Sequence, residues 1–236
     1  MKITTLLGII LAADIALGFA TSTSASTLSF SSPSGTTLSN GRPVDAQAII
    51  ATSANTVTVT LSNLQVGIKD ITQTISGVSF ALDNLATGTT ITSSAGLERT
   101  VNSNLTFSDG LTVPTGWEVV LDGQSMQLML PDSVLTHTII GPASGTKYTG
   151  ANSTIAGSSD NNPFLIGPVT FVINVPGATA ASKVDWAVFH FGTCAEYVTS
   201  CQGTPVPEPA TLGLATTGLA CAALALWRRR RLHKQA

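Results

Sequence analysis

Two histidines in the central part of this 236-residue chain, His137 and His190, are the side chains best suited to move a proton near neutral pH. His190 alternates with Trp186 and Val188, the setting of a packed or edge-strand histidine rather than of a general base. His137 follows Thr136 and has no partner near it in sequence. No Gly-x-Ser-x-Gly elbow, His-Glu-x-x-His, phosphate-cradling loop or Cys-x-x-Cys accompanies them. A triad can assemble through space, so a missing motif lowers the odds without closing the question. The expectation is a protein that is not an enzyme and needs no cofactor.

Other residue groups have a chemistry of their own. Asp160, Asn161 and Asn162 crowd oxygen donors of the kind calcium takes. Their spacing lacks the EF-hand order, however, and an Asx turn before Pro163 explains them more simply. No metal site is expected. Cys194 and Cys201, with six residues between them, form a candidate disulfide clamping a short loop. Cys221 lies in an apolar run. Trp117, Tyr148, Trp186 and Tyr197 are the aromatics large enough to stack on a sugar. Trp117 and Trp186 occupy strand rows and read as core. Tyr148 lies by a polar loop and is the sugar-contact candidate. Asn104-Leu105-Thr106 and Asn152-Ser153-Thr154 match the N-glycosylation pattern.

The elements that must position these residues are strands. Val57, Val59 and Leu61 alternate with Thr56, Thr58, Thr60 and Ser62, and Val78, Phe80 and Leu82 alternate with Ser79 and Ala81. Trp117, Val119 and Leu121 lead into Asp122-Gly123, a hairpin signal, and then into Met126, Leu128 and Leu130. Val169, Phe171, Ile173 and Val175 form another row, and a last strand is expected from Val184 to Phe191. Gly, Pro, Asn and Asp clusters separate these runs, and no long stretch has a period of 3.6 residues. The Gly/Ser/Thr/Asn-rich stretch from Ser144 to Asn162 reads as a long surface loop or a mobile one. The expected fold is all-β, an antiparallel β-sandwich of the jelly-roll kind over residues 26–203.

The ends of the chain differ from its middle. Between Ser26 and Val206 stand eleven acidic and five basic residues, a net of −6. Nucleic acid, which selects a basic footprint, is therefore not an expected partner. With 43% hydrophobic and only 10% charged residues the chain has enough apolar content to fold, under a surface of hydroxyls and amides. Residues 1–25 open with Lys2, continue through an apolar stretch interrupted by Asp14, and end in Thr23-Ser24-Ala25. That is the pattern of a signal peptide cut by signal peptidase after Ala25.

At the other end, residues 204–209 form a linker holding Pro207, Glu208 and Pro209. Eighteen residues without a charge, Ala210 to Trp227, follow it. As a helix that run spans roughly 27 Å, close to the thickness of a bilayer's hydrocarbon core. Arg228, Arg229, Arg230 and Arg231 then open a basic tail, residues 228–236, of the kind held on the cytoplasmic side. From Val206 to Arg231 this arrangement resembles the PEP-CTERM sorting signal. The resemblance implies a Gram-negative host, a precursor anchored in the inner membrane, and processing by an exosortase, a membrane-embedded cysteine protease or transpeptidase. In that reading Pro207, Glu208 and Pro209 are a recognised substrate site. It also implies a destination at the cell surface or in the extracellular matrix, associated with exopolysaccharide and biofilm. A structural or matrix role is the leading expectation. A carbohydrate-binding module would show as a groove with solvent-facing rings. A secreted hydrolase would show as His137 or His190 within reach of an acid in a cleft.

Overall fold

Alternation of β-branched and hydroxyl residues produces strands that are dry on one side and wet on the other. The computed structural model describes residues 25–132, 134–193, 196–200 and 203–206. Strands β1 (Ser26–Ser31), β2 (Ala46–Ser53) and β3 (Thr56–Asn63) run back and forth as an antiparallel meander. In β2 and β3 every second side chain is buried: Ala46, Ala48 and Ile50, then Val57, Val59 and Leu61. Then come β4 (Ile75–Leu82), β5 (Thr90–Val101), β6 (Phe107–Val113), β7 (Glu118–Asp122), β8 (Ser125–Met129) and β9 (Ile139–Ile140). The series ends with β10 (Phe164–Asn174), β11 (Val184–Phe191), β12 (Glu196–Thr199) and β13 (Thr204–Pro205). The hairpin between β7 and β8 pairs Asp122 with Ser125 across a turn that holds Gly123 at φ 61°, a left-handed conformation glycine adopts without strain.

The strands join in the order β12-β11-β4-β9-β10-β3-β2-β1-β13, with β8 and β7 added beside β4 and β5 and β6 beside β10. One half, built on β10, β3, β2 and β1, meets the other, built on β4, β8 and β11, through the two-residue β9. That strand pairs parallel with β10 and antiparallel with β4. The all-antiparallel expectation is therefore corrected: the sheet is mixed, and its two halves belong to one hydrogen-bonded path. The path doubles back, bringing β11 against β1 and β2. The inward rows of both halves then merge into a single core around Phe30, Val59, Phe80, Leu128, Phe171 and Phe189. Among the described residues no helix is long and apolar enough to cross a membrane, and the segment 210–227 lies outside them.

A second, smaller core corrects the reading of Ser144–Asn162 as a loose surface loop. Tyr148 and Ile155, the two large apolar side chains of that stretch, are fully buried with Ile68, Val101, Ile140 and Phe164. Burying two such side chains is worth several kcal/mol, at about 1.5–3 kcal/mol each, which fixes a segment lacking regular structure.

Candidate functional site

The sugar-contact candidate is not on the surface. Tyr148 is 0% exposed. Its hydroxyl donates to the Gly141 carbonyl at 2.7 Å and accepts from Arg99 Nη1 at 3.3 Å, while its ring meets Phe107 edge-on. Arg99 is itself buried, lies 3.8 Å over the Phe107 ring and forms a two-pronged pair with Asp109 at 2.6 and 2.8 Å. Burial works against the guanidinium charge, but hydrogen bonds to Asp109 and Tyr148 outweigh it and push Arg99 up. The same pairing holds the Asp109 carboxyl below the usual carboxylate range, and burial pushes the Tyr148 phenol up. A phenol so enclosed ties the long loop to β5; it cannot stack on a solvent-borne ring.

Trp117 is buried as expected, against Phe171 at 5.1 Å, with its indole N–H donating to the His137 carbonyl at 3.0 Å. Trp186 is not core: it is 38% exposed. The cause is a bulge. On β4 one residue, Ala81, separates Leu82 from Phe80, whereas on β11 two, Asp185 and Trp186, separate their partners Val184 and Ala187. The extra residue lets Val184 and Ala187 both face inward and turns Trp186 out. The Tyr197 ring lies outside the described residues, as do Cys194 and Cys201.

His137 has partners that sequence proximity could not reveal. Its Nε2 is 3.0 Å from Glu98 Oε1, and its Nδ1 is 3.1 Å from the Thr115 carbonyl. A hydrolase is expected to show a histidine within reach of an acid in a cleft, and His137 with Glu98 supplies the first half of that sign. In a triad, however, the second ring nitrogen must face a nucleophile's proton. Here it faces a backbone carbonyl, an acceptor with no proton to give. With φ 66° at His137 and Trp117 on its carbonyl, the pair braces a tight left-handed turn between β8 and β9.

His190 is 4% exposed, with Nε2 at 2.7 Å from Ser79 Oγ, and burial lowers its pKa to about 4. It lines a cavity of about 90 Å³ together with Ser76, Leu130, Asp132, Thr138 and Thr193. The Thr138 hydroxyl, in a side chain 1% exposed, is a buried polar atom without a hydrogen-bond partner.

In the Asp160-Asn161-Asn162 run, Asp160 accepts from the Ser159 hydroxyl at 3.1 Å and the two asparagines spend their side chains on the backbone. Asn161 donates to the Thr154 carbonyl at 2.8 Å. Asn162 accepts from the Val101 N–H at 2.9 Å and donates to the carbonyls of Val101, Ile155 and Ser158. These bonds staple the loop to β5, and among the described residues no cluster of three His, Cys, Asp or Glu could hold a metal. Asn104 and Asn152 are exposed, each accepting from the amide and hydroxyl of the threonine two residues on.

The two ends of the folded domain lie together. Antiparallel pairing sets Leu28 opposite Pro205 and Ser29 opposite Thr204, and the Val206 N–H donates to the Thr27 carbonyl at 3.0 Å. Gly203 passes over Phe30 so closely that an added Cβ would stand 2.7 Å from the ring. The strand bearing the C-terminal segment thus leaves the fold beside the start of β1. Residues 205–231 carry the PEP-CTERM protein-sorting motif. The PEP-CTERM motif implies an exported, membrane-anchored precursor and processing by an exosortase. No similarity was found to a curated protein or to a solved structure. Pro207, Glu208, Pro209 and Arg228 to Arg231 fall within the matched stretch and outside the described residues.

Proposed function

We propose that this chain is a non-catalytic protein of the cell surface or extracellular matrix, delivered by its two ends. Residues 1–25 direct export and are removed by signal peptidase. Ala210 to Trp227 then hold the precursor in the inner membrane until an exosortase cuts at or near Pro207-Glu208-Pro209. The observation that carries this is the sorting motif, which begins at Pro205, the last residue of β13. With β13 zipped to β1, removing the leader and cutting the tail both act at one end of the sheet. The core is left intact by either cut. The processed product would enter exopolysaccharide or a biofilm matrix, where an acidic, hydroxyl-rich surface is readily hydrated. Intact mass of the product from its host, with and without the exosortase, tests this reading. A mass that ends near residue 207 only when the exosortase is present supports it; an identical, full-length tail in both strains refutes it.

A second reading is favoured by Trp186, an indole turned to solvent on a strand that otherwise buries its aromatics. Such a face suits carbohydrate binding. Retention on polysaccharide from the host, lost in Trp186→Ala, would support it, and free passage of the wild type would refute it.

A further inference from the structure

The stretch that carries the sorting motif overlaps the folded sheet. It opens at Pro205, which stands opposite Leu28 on β1, and the next residue, Val206, donates its backbone N–H to the Thr27 carbonyl at 3.0 Å. Thr204 adds a side-chain bond to the Ser29 carbonyl at 3.4 Å, and Gly203 lies against the Phe30 ring. Bonded and non-bonded positions alternate along an antiparallel pair. With Thr27 and Val206 bonded, Leu28 and Pro205 fall at a non-bonded position, where a proline removes no ladder bond. Only Pro207, Glu208 and Pro209 separate this ladder from Ala210, where the apolar run begins. Three residues reach about 10 Å when fully extended. On the sorting reading, the enzyme must therefore work on a short tether held by the bilayer at one end and by β1 at the other. An extended peptide is bound through its main-chain N–H and C=O groups, and the Val206 N–H is already engaged.

We propose that β13 is a latch: the exosortase takes up residues 204–209 only after β13 has peeled from β1, so the sheet sets the rate at which the tail is processed. This rests on the sorting reading above and adds to it the form of the chain that is cut. Release of Thr204, Pro205 and Val206 lengthens the free tether from three residues to six, a reach of about 20 Å. It also frees the backbone that the enzyme must bind. The latch is easily opened, being two residues long, exposed and at the end of the strand order. Its opening leaves β1 paired with β2. Edge segments of this kind open locally without global unfolding, and cleavage of a transiently opened segment tracks the open population.

The test follows cleavage of the full-length precursor, in micelles, by host membranes with and without the exosortase, read by intact mass over time. Leu28→Cys with Pro205→Cys joins the strands at a non-bonded pair, where a disulfide fits. The wild type should be cut, the oxidised pair should stay whole, and reduction should restore cutting; the wild type with and without reductant is the control. Gly203→Ala, outside the matched stretch, lifts β13 and should speed cutting about fivefold, the effect of one ladder bond on the open population. A second copy of residues 203–206 inserted after Val206 supplies a free strand and should let the oxidised pair be cut. Equal rates for the oxidised and reduced pair, or an oxidised pair that stays whole despite the insertion, would overturn the latch while wild-type cleavage leaves the sorting reading standing. Should the cysteine pair fail to fold, or stay whole when reduced, Gly203→Ala and the insertion in an otherwise wild-type chain decide. Both should be cut faster, and an unchanged rate in either overturns the latch. A wild type left whole by membranes that contain the exosortase brings down both readings.

Discussion

Acid should weaken this fold well before its carboxylates are neutralised, and the cause should be His190. The folded protein holds that ring neutral down to about pH 4 because burial disfavours the charged form. In the unfolded chain it takes a proton near its ordinary value of 6.5. Between those limits the unfolded state binds more protons than the folded one, so stability falls as pH falls. Above about 6.5 the group contributes no slope, and below about 4 the loss levels off because the folded state protonates too. A displacement of about 2.5 pH units corresponds to about 3 kcal/mol, applied without discount because the residue is 4% exposed. For a domain of this size that is a fall of about 6–12 °C in Tm. Thermal unfolding followed by circular dichroism at half-unit steps from pH 7.5 to 3.5 measures it. His190→Gln, which keeps a hydrogen-bonding end but cannot titrate here, should start lower and lack this part of the slope. Parallel Tm curves for the two proteins between pH 6.5 and 4 would show that burial of His190 is not what couples this fold to acid.

Other outcomes follow from the same contacts. Tyr148→Phe should cost about 1–2 kcal/mol in denaturant unfolding, since the Gly141 carbonyl and Arg99 Nη1 both lose a partner. Asp109→Asn should remove stability that the wild type holds above the ordinary carboxylate range and loses as pH falls below it. Urea midpoints of the two proteins should therefore converge as pH falls below the ordinary carboxylate range. Asn162→Ala should free the loop from β5 and expose it to limited proteolysis between residues 144 and 162, while added calcium should leave the wild-type Tm unchanged. Gly203→Ala should press a methyl group into Phe30 and lift β13, read as faster hydrogen exchange at the Val206 amide.

Strands whose burial alternates were legible in the sequence because each residue reports its own face. β3, β4, β8 and β10 show valine, leucine, isoleucine, methionine or phenylalanine at alternate positions, and the structure buries those rows. β5 escaped because its outer half, Thr90 to Ala95, is exposed and rich in hydroxyls, so its pattern matches that of a loop. β9 is two residues long and has no period at all. The Trp186 error came from counting in steps of two through a bulge that only the pairing with β4 reveals. His137 and Glu98 are 39 residues apart, a proximity that no local spacing encodes. Tyr148 was misjudged because the composition around it is that of a solvated loop. With Ile155, it was in fact the sole large apolar content of that loop, and hence its anchor.

The position of β13 gives the sorting tail a mechanical meaning. A motif read at the membrane must be reachable, yet the domain it belongs to must survive losing whatever lies beyond the cut. Those demands conflict if the last strand is central, because cutting there would strip ladder bonds and core side chains together. Here the last described strand is a two-residue edge, exposed at Thr204 and Pro205, held to β1 by a short ladder and by Gly203 lying on Phe30. Its loss would cost a few hydrogen bonds, each worth about 1 kcal/mol net, and none of the inward rows. Sequence chemistry recognises the tail, while strand order makes its removal harmless.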